Sequence, residues 1–136
     1  MKLLNLDHVG IAVQDLYEAI QGYETKYGVV PIYRETVEAQ GVEEAMIPVG
    51  GSFVQLLQPL AADTPVGRFL ERRGEGLHHV AYAVASITDS LDHLQGQGAR
   101  LIDEMPRIGS RGAQIAFVHP EDLGGTLIEL VELADG

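Results

Sequence analysis

Cysteine is absent from this chain, and so is tryptophan. Without cysteine there is no disulfide scaffold, no thiolate nucleophile and no sulfur ligand. Any metal must then be held by imidazole, carboxylate or amide oxygen. Long apolar runs are missing too: none approaches the roughly 18–20 residues needed to span a bilayer. The opening stretch, Met1-Lys2-Leu3-Leu4-Asn5-Leu6-Asp7, is too short in apolar residues and has no small-residue cleavage site. It does not read as a secretory signal, and a cytoplasmic protein is expected. Positive charge is scarce. Nine Lys and Arg stand against 20 Asp and Glu, for a formal net charge of −11. That balance argues against wrapping nucleic acid or docking on an anionic membrane.

What is present fits one soluble globular domain spanning residues 1–136, with 46% hydrophobic and 21% charged residues. The few cations are unevenly placed, with Arg68, Arg72, Arg73, Arg100, Arg107 and Arg111 in one stretch. Such a cluster suits a phosphorylated small molecule. It equally suits a solvated face that balances nearby carboxylates.

The chain repeats itself. Leu6-Asp7-His8-Val9-Gly10-Ile11-Ala12-Val13 matches Leu77-His78-His79-Val80-Ala81-Tyr82-Ala83-Val84, with Leu, His, Val, Ala and Val recurring in register. The same offset lays Leu16, Ile20 and Tyr23 over Ile87, Leu91 and Leu94, a helical spacing in both halves. Gly28 and Gly98 fall near the helix ends, where a left-handed cap costs glycine least. The halves also end alike, Phe53-Val54-Gln55-Leu56-Leu57 matching Leu127-Ile128-Glu129-Leu130-Val131. Gly50-Gly51 and Gly124-Gly125 precede these runs and read as hairpin turns.

The spacing predicts strands over 5–13, 42–48, 53–58, 76–84, 114–119 and 126–132, and helices over 15–27, 65–73 and 87–97. Further strands are expected over 30–36 and, as its counterpart, 100–104. Asp63-Thr64-Pro65 reads as a helix start. The two modules cover about 1–62 and 75–136, and strands with helices segregated to one side make an α+β fold.

Four polar residues interrupt the apolar strands: His8, Gln55, His79 and Glu129, each flanked by Val, Leu or Ile. A buried amide or carboxylate is costly unless paired or bound to a metal. A lone strand histidine is more often a satisfied core residue than a ligand. Here the four occupy equivalent positions, one pair per module. If a pseudo-twofold axis relates the modules, they converge on one centre. Two imidazoles, an amide oxygen and a carboxylate suit a divalent transition metal, and an octahedral shell would keep two sites for a bidentate substrate. Alternation sends His78 to the face opposite His79. His93 is expected on a helix surface and His119 at a turn.

In Gln40-Gly41-Val42-Glu43-Glu44-Ala45-Met46-Ile47-Pro48, alternation puts Glu44 and Met46 on one face and Glu43, Ala45 and Ile47 on the other. One glutamate must keep apolar company. Either it is a desolvated carboxylate of raised pKa, suited to proton abstraction, or both lie in water at a sheet edge.

Several segments together resemble the vicinal oxygen chelate (glyoxalase/bleomycin resistance/dioxygenase) superfamily, and within it the methylmalonyl-CoA epimerases. They are Asp7-His8-Val9-Gly10-Ile11-Ala12, Gln40-Gly41-Val42-Glu43-Glu44-Ala45-Met46, Val54-Gln55-Leu56-Leu57-Gln58-Pro59, Gly74-Glu75-Gly76-Leu77-His78-His79-Val80-Ala81, Pro106-Arg107-Ile108-Gly109-Ser110-Arg111-Gly112, Phe117-Val118-His119-Pro120 and Gly125-Thr126-Leu127-Ile128-Glu129-Leu130. The resemblance implies two pseudo-symmetric βαβββ modules forming a cupped mixed sheet around a metal site, in a protein commonly dimeric. It implies one divalent ion on His8, Gln55, His79 and Glu129, with cobalt favoured and manganese, nickel or zinc as alternatives. It implies an acyl-CoA thioester as substrate, epimerised at C2, with Glu44 and Glu129 transferring protons. Ser110, Arg111 and Gly112 are candidates to meet that substrate, because backbone amides beside glycine approach a ligand closely.

Other readings share the fold. A glyoxalase-like isomerase usually carries Glu where this chain has Gln55. An extradiol dioxygenase uses two histidines and one carboxylate on iron. A drug-sequestering binding protein lacks the complete ligand set.

Overall fold

The computed structural model describes residues 1–121 and 124–134. Asp122, Leu123 and the last two residues of the expected second module, Asp135 and Gly136, lie outside the described residues. The chain forms two compact units, one of His8–His78, the other of Met1–Asp7 together with the chain from His79 onward.

Strand β1 (Asn5–Ala12) runs into helix α1 (Leu16–Tyr27), followed by β2 (Tyr33–Val37), β3 (Val42–Val49), β4 (Ser52–Pro59) and α2 (Pro65–Arg73). In the His8–His78 unit the strand order is β2-β3-β4-β1. β1 and β4 are parallel, with Gly10 opposite Gln55, and the other pairs are antiparallel. The second unit repeats the plan with β5 (Gly76–Ala83), α3 (Ile87–Gly96), β6 (Arg107–Ile108), β7 (Gln114–Val118) and β8 (Ile128–Glu132), in the order β5-β8-β7-β6. β5 and β8 are parallel, β7 antiparallel to both of its neighbours. Each module is therefore the expected βαβββ unit with a mixed sheet.

The helix starts repeat as well. Asp15 caps α1 by accepting from Glu18 N at 3.0 Å, and Gln58 Oε1 accepts from Leu16 N at 2.7 Å. Ser86 caps α3 by accepting from Asp89 N, and Glu132 Oε1 accepts from Ile87 N at 2.8 Å. Gln58 and Glu132 end equivalent strands. Each thus ties its module's last strand to a helix whose first N–H groups have no partner of their own. Gly28 stops α1 in the left-handed region at φ 70°. Thr64 accepts from Gly67 N and Pro65 follows it, the expected start of α2.

Each sheet uses its two faces differently. Leu16 and Ile20 of α1 pack on Ala45, Ile47 and Leu56. Ile87 and Leu91 of α3 pack on Ala116, Val118 and Leu130. Burying a Leu or Ile side chain contributes about 1.5–3 kcal/mol, so these contacts commit one face of each sheet to its helix. The polar residues flagged above lie on the other face. There α2 closes one end of the first unit, with Val66 and Leu70 on Ala12, Val42 and Leu57.

Three expectations need correction. The strand expected over 30–36 starts at Tyr33. Pro31 has no N–H to give, and the ladder is entered through Ile32 N bonded to Met46 O. Its counterpart is not 100–104 but β6, Arg107–Ile108. Leu101 makes a single bridge to Val118, and the Asp103 carboxylate then takes the N–H of Phe117 at 2.9 Å. A side chain occupies the donor that a strand there would need. Finally, Val49 faces Ser52 across a two-residue turn at Gly50-Gly51, as expected, whereas Gly124-Gly125 is no such turn. β7 and β8 meet at Val118 and Ile128, so far more than two residues separate the paired ends.

Candidate active site

The first unit brings together His8 on β1, Glu44 on β3 and Gln55 on β4. All three are buried, Glu44 completely. Met46 pairs with Gln55 across the β3–β4 ladder, so the two side chains share a face. Glu44, two residues from Met46, joins them. The Gln55 amide Nε2 donates to Glu44 Oε1 at 2.7 Å. That bond fixes the orientation of the amide. Its oxygen, Oε1, is buried and accepts no hydrogen bond among the described residues. A buried amide oxygen left this way costs about 1–3 kcal/mol unless something binds it.

Glu43, on the opposite face, reaches Arg34 at 3.1 Å near the surface. The choice between the two glutamates is thus made by packing. Val42 and Leu57, flanking Glu44 on its face, are sealed by Val66 and Leu70. Glu44 is fully buried there, and its carboxylate accepts from the amide of Gln55.

The second unit brings together His79 on β5 and Glu129 on β8, each buried, with His79 Nε2 3.4 Å from Glu129 Oε1. A charge-assisted hydrogen bond closes to about 2.7–2.9 Å. Two ligands on adjacent corners of a shell with bonds near 2.1 Å stand roughly 3 Å apart. The observed separation suits co-ligands at least as well as an ion pair. Phe117, paired with Glu129, stands edge-on to His79 at 5.6 Å between ring centroids. By register Phe117 is the counterpart of Met46, and Ile115 of Glu44. The basic position therefore exists in one module only.

Ser110, Arg111 and Gly112 form a short turn leading into β7. Ser110 is buried and its hydroxyl has no partner among the described residues. Arg111 donates to the carboxylate of Asp7. The sequence reading assigned Asp7 no part, although it flanks His8. An aspartate inside a strand and next to an apolar run was the available signal.

Four of the five other arginines of that cluster, Arg68, Arg73, Arg100 and Arg107, have local partners. Arg107 contacts Asp103 at 3.4 Å and Arg100 contacts Glu121 at 3.1 Å. Arg73 lies over the Phe69 ring, and Arg68 donates to the carbonyl of Asp63. These contacts favour the balanced-face reading of the cluster. His78 packs edge-on against Phe69 at 5.0 Å, His93 is exposed, and His119 Nδ1 accepts from Glu121 N within a turn, all as expected.

Known proteins match this chain over nearly its whole length. The model of the glyoxalase/bleomycin resistance protein/dioxygenase superfamily fits residues 7–117. An ethylmalonyl-CoA/methylmalonyl-CoA epimerase of Cereibacter sphaeroides is 35% identical over 94% of this chain and 97% of its own. The chain belongs to the methylmalonyl-CoA epimerase family of that superfamily. Among solved epimerases, a Streptomyces coelicolor variant in complex with 2-nitronate-propionyl-CoA superposes with a TM-score of 0.95 at 38% identity, covering 98% of this chain and 96% of that one. A methylmalonyl-CoA epimerase in complex with methylmalonyl-CoA and ammonium gives 0.95 at 39% identity, with the same coverage. The fold is that of these epimerases, α+β of the vicinal oxygen chelate type. Among the described residues no helix is long and apolar enough to cross a membrane.

Proposed function

We propose that this protein epimerises methylmalonyl-CoA or a closely related 2-alkylmalonyl thioester, with Glu44 as a proton-transferring base. The observation that carries the reading is the contact of Glu44 with Gln55. A water-free carboxylate is held in place by an amide whose oxygen is left open to a ligand. His8, Gln55, His79 and Glu129 would together hold one divalent metal ion. The chemistry of the donors supports this: imidazole nitrogens, a carboxylate and a buried amide oxygen that accepts no hydrogen bond among the described residues. When bound, such an ion supplies a Lewis acid for the thioester and carboxylate oxygens, worth several kcal/mol where enolate charge develops.

The chain's own residues do the rest. The proton at C2 lies between a thioester and a carboxylate, and its loss leaves an enolate. Glu44 takes that proton, and a second acid returns one to the opposite face of C2. Glu129 is the candidate for that second transfer as well as for metal binding. The buried apolar wall of Val42, Met46 and Leu57 keeps water from Glu44. Ser110 and Gly112 would meet the acyl end of the substrate.

The proposal includes a single functional domain over 1–136, cobalt as the favoured ion, a cytoplasmic location where CoA thioesters are made and used, and a working homodimer. Exposed Leu3, Leu4, Leu6 and Met105 support the last, as apolar surface that a second copy would cover. Light scattering on the purified protein reads the mass directly.

The first test incubates metal-loaded protein with one epimer of methylmalonyl-CoA in deuterated water, with a chelated control. Metal-dependent deuterium uptake at C2, together with formation of the other epimer, is expected. No exchange by protein of verified metal content refutes the proposal.

A further inference from the structure

Asp7 and Arg111 form an ion pair between segments 104 residues apart. Their side chains are 5% and 18% exposed. Among the described residues, Arg111 is the only non-glycine with a positive φ, 60°, and Gly112 follows it at 67°. A side chain at such a φ is strained, and it persists only where its surroundings hold it. The Asp7 carboxylate is the hold that is observed. Next to Arg111 in the chain is Ser110, whose hydroxyl is nine-tenths buried and without a partner among the described residues. The turn passes directly into Ala113, which is buried with Ala81, Ile115, Phe117 and Val131. Those residues lie on the face of the second unit that carries His79 and Glu129.

We infer that Asp7 is a positioning residue for substrate recognition, acting through Arg111. It locks the 110–112 turn so that the Ser110 hydroxyl and the turn's backbone N–H groups meet the substrate's carboxylate. The inference rests on the acyl-CoA reading above. Successive N–H groups in a right-then-left-handed turn point into one concavity that suits an anionic oxygen. The Arg111 charge is matched by Asp7, so Arg111 serves the substrate by shaping the turn, and not as a cation aimed at it.

Breaking a buried pair strands a charge and destabilises the fold, so three variants are compared with wild type. Asp7→Asn breaks the pair. Arg111→Gly removes the guanidinium and places at that φ the residue that adopts it freely. The double variant strands no charge. Hydrogen exchange at amides 110–113, metal content, and calorimetric affinity for malonyl-CoA and propionyl-CoA are measured on each. Amide exchange in the turn should rise about tenfold or more in Asp7→Asn and in the double variant, with metal content unchanged. Affinity for malonyl-CoA should fall about tenfold, and that for propionyl-CoA, which has no free carboxylate, should hold. In turnover, KM for methylmalonyl-CoA should rise more than kcat falls. Wild-type exchange and affinity in the double variant would show a purely structural pair and overturn the inference. Equal losses for both thioesters would overturn its assignment to the carboxylate. These binding and exchange readouts do not require epimerisation. A wild-type protein that binds malonyl-CoA but fails to epimerise refutes the proposed reaction alone.

Discussion

Replacing Glu44 with Gln separates the proposed base from its structural role. The carboxylate accepts from Gln55 Nε2 at 2.7 Å inside a fully buried site. A glutamine has the same shape and an amide oxygen that can take the same bond. What is lost is the difference between a charge-assisted and a neutral hydrogen bond, about 1–2 kcal/mol. That should lower the melting temperature by a few degrees for a chain of this size. The amide cannot take a proton from carbon. A general base supplies about 10²–10⁴-fold, or about 3–5 kcal/mol of barrier. The kinetic loss should therefore far exceed the loss in stability. Deuterium uptake at C2 should fall by at least about 10²-fold, while metal content and thioester affinity stay near wild type. Wild-type exchange by the variant would refute Glu44 as the base. A matched collapse of metal content, melting temperature and exchange would mean that Glu44 serves only to hold the site together.

Three further outcomes follow from the same geometry. Gln55→Glu sets a second carboxylate against Glu44, and two carboxylates this close cannot both ionise readily. The basic form of Glu44 then appears only at higher pH, so the low-pH limb of kcat/KM should move upward, as a pH–rate profile will show. Chelation should abolish C2 exchange and lower the melting temperature, and readdition of cobalt should restore both, since an ion that binds only the folded chain stabilises it. Leu91→Ala removes a core side chain of α3 packed on Ala116 and Leu130, and should cost about 2–5 kcal/mol in denaturant unfolding without changing the ligand set.

Much of this protein is legible in its sequence because the signals are local. Alternation along β1, β4, β5 and β8 marks His8, Gln55, His79 and Glu129 as polar residues on buried strands. The repeat marks them as equivalent pairs. Asp15, Thr64 and Gly28 announce helix ends through hydrogen bonds and φ values that depend on residues a few positions away. Alternation alone could offer only two faces for Glu43 and Glu44. Which one is buried was decided by α2, whose Val66 and Leu70 arrive from beyond β4 to cover Val42 and Leu57. Tertiary structure likewise set β6 at 107–108, because the Asp103 carboxylate takes the Phe117 N–H that a strand at 100–104 would need. The pairing of Asp7 with Arg111, and the left-handed backbone it holds, depends on a path of 104 residues. Periodicity and capping report a residue's neighbours along the chain. Burial of a particular carboxylate and the partner of a particular arginine depend on which distant segments the folded chain brings against them.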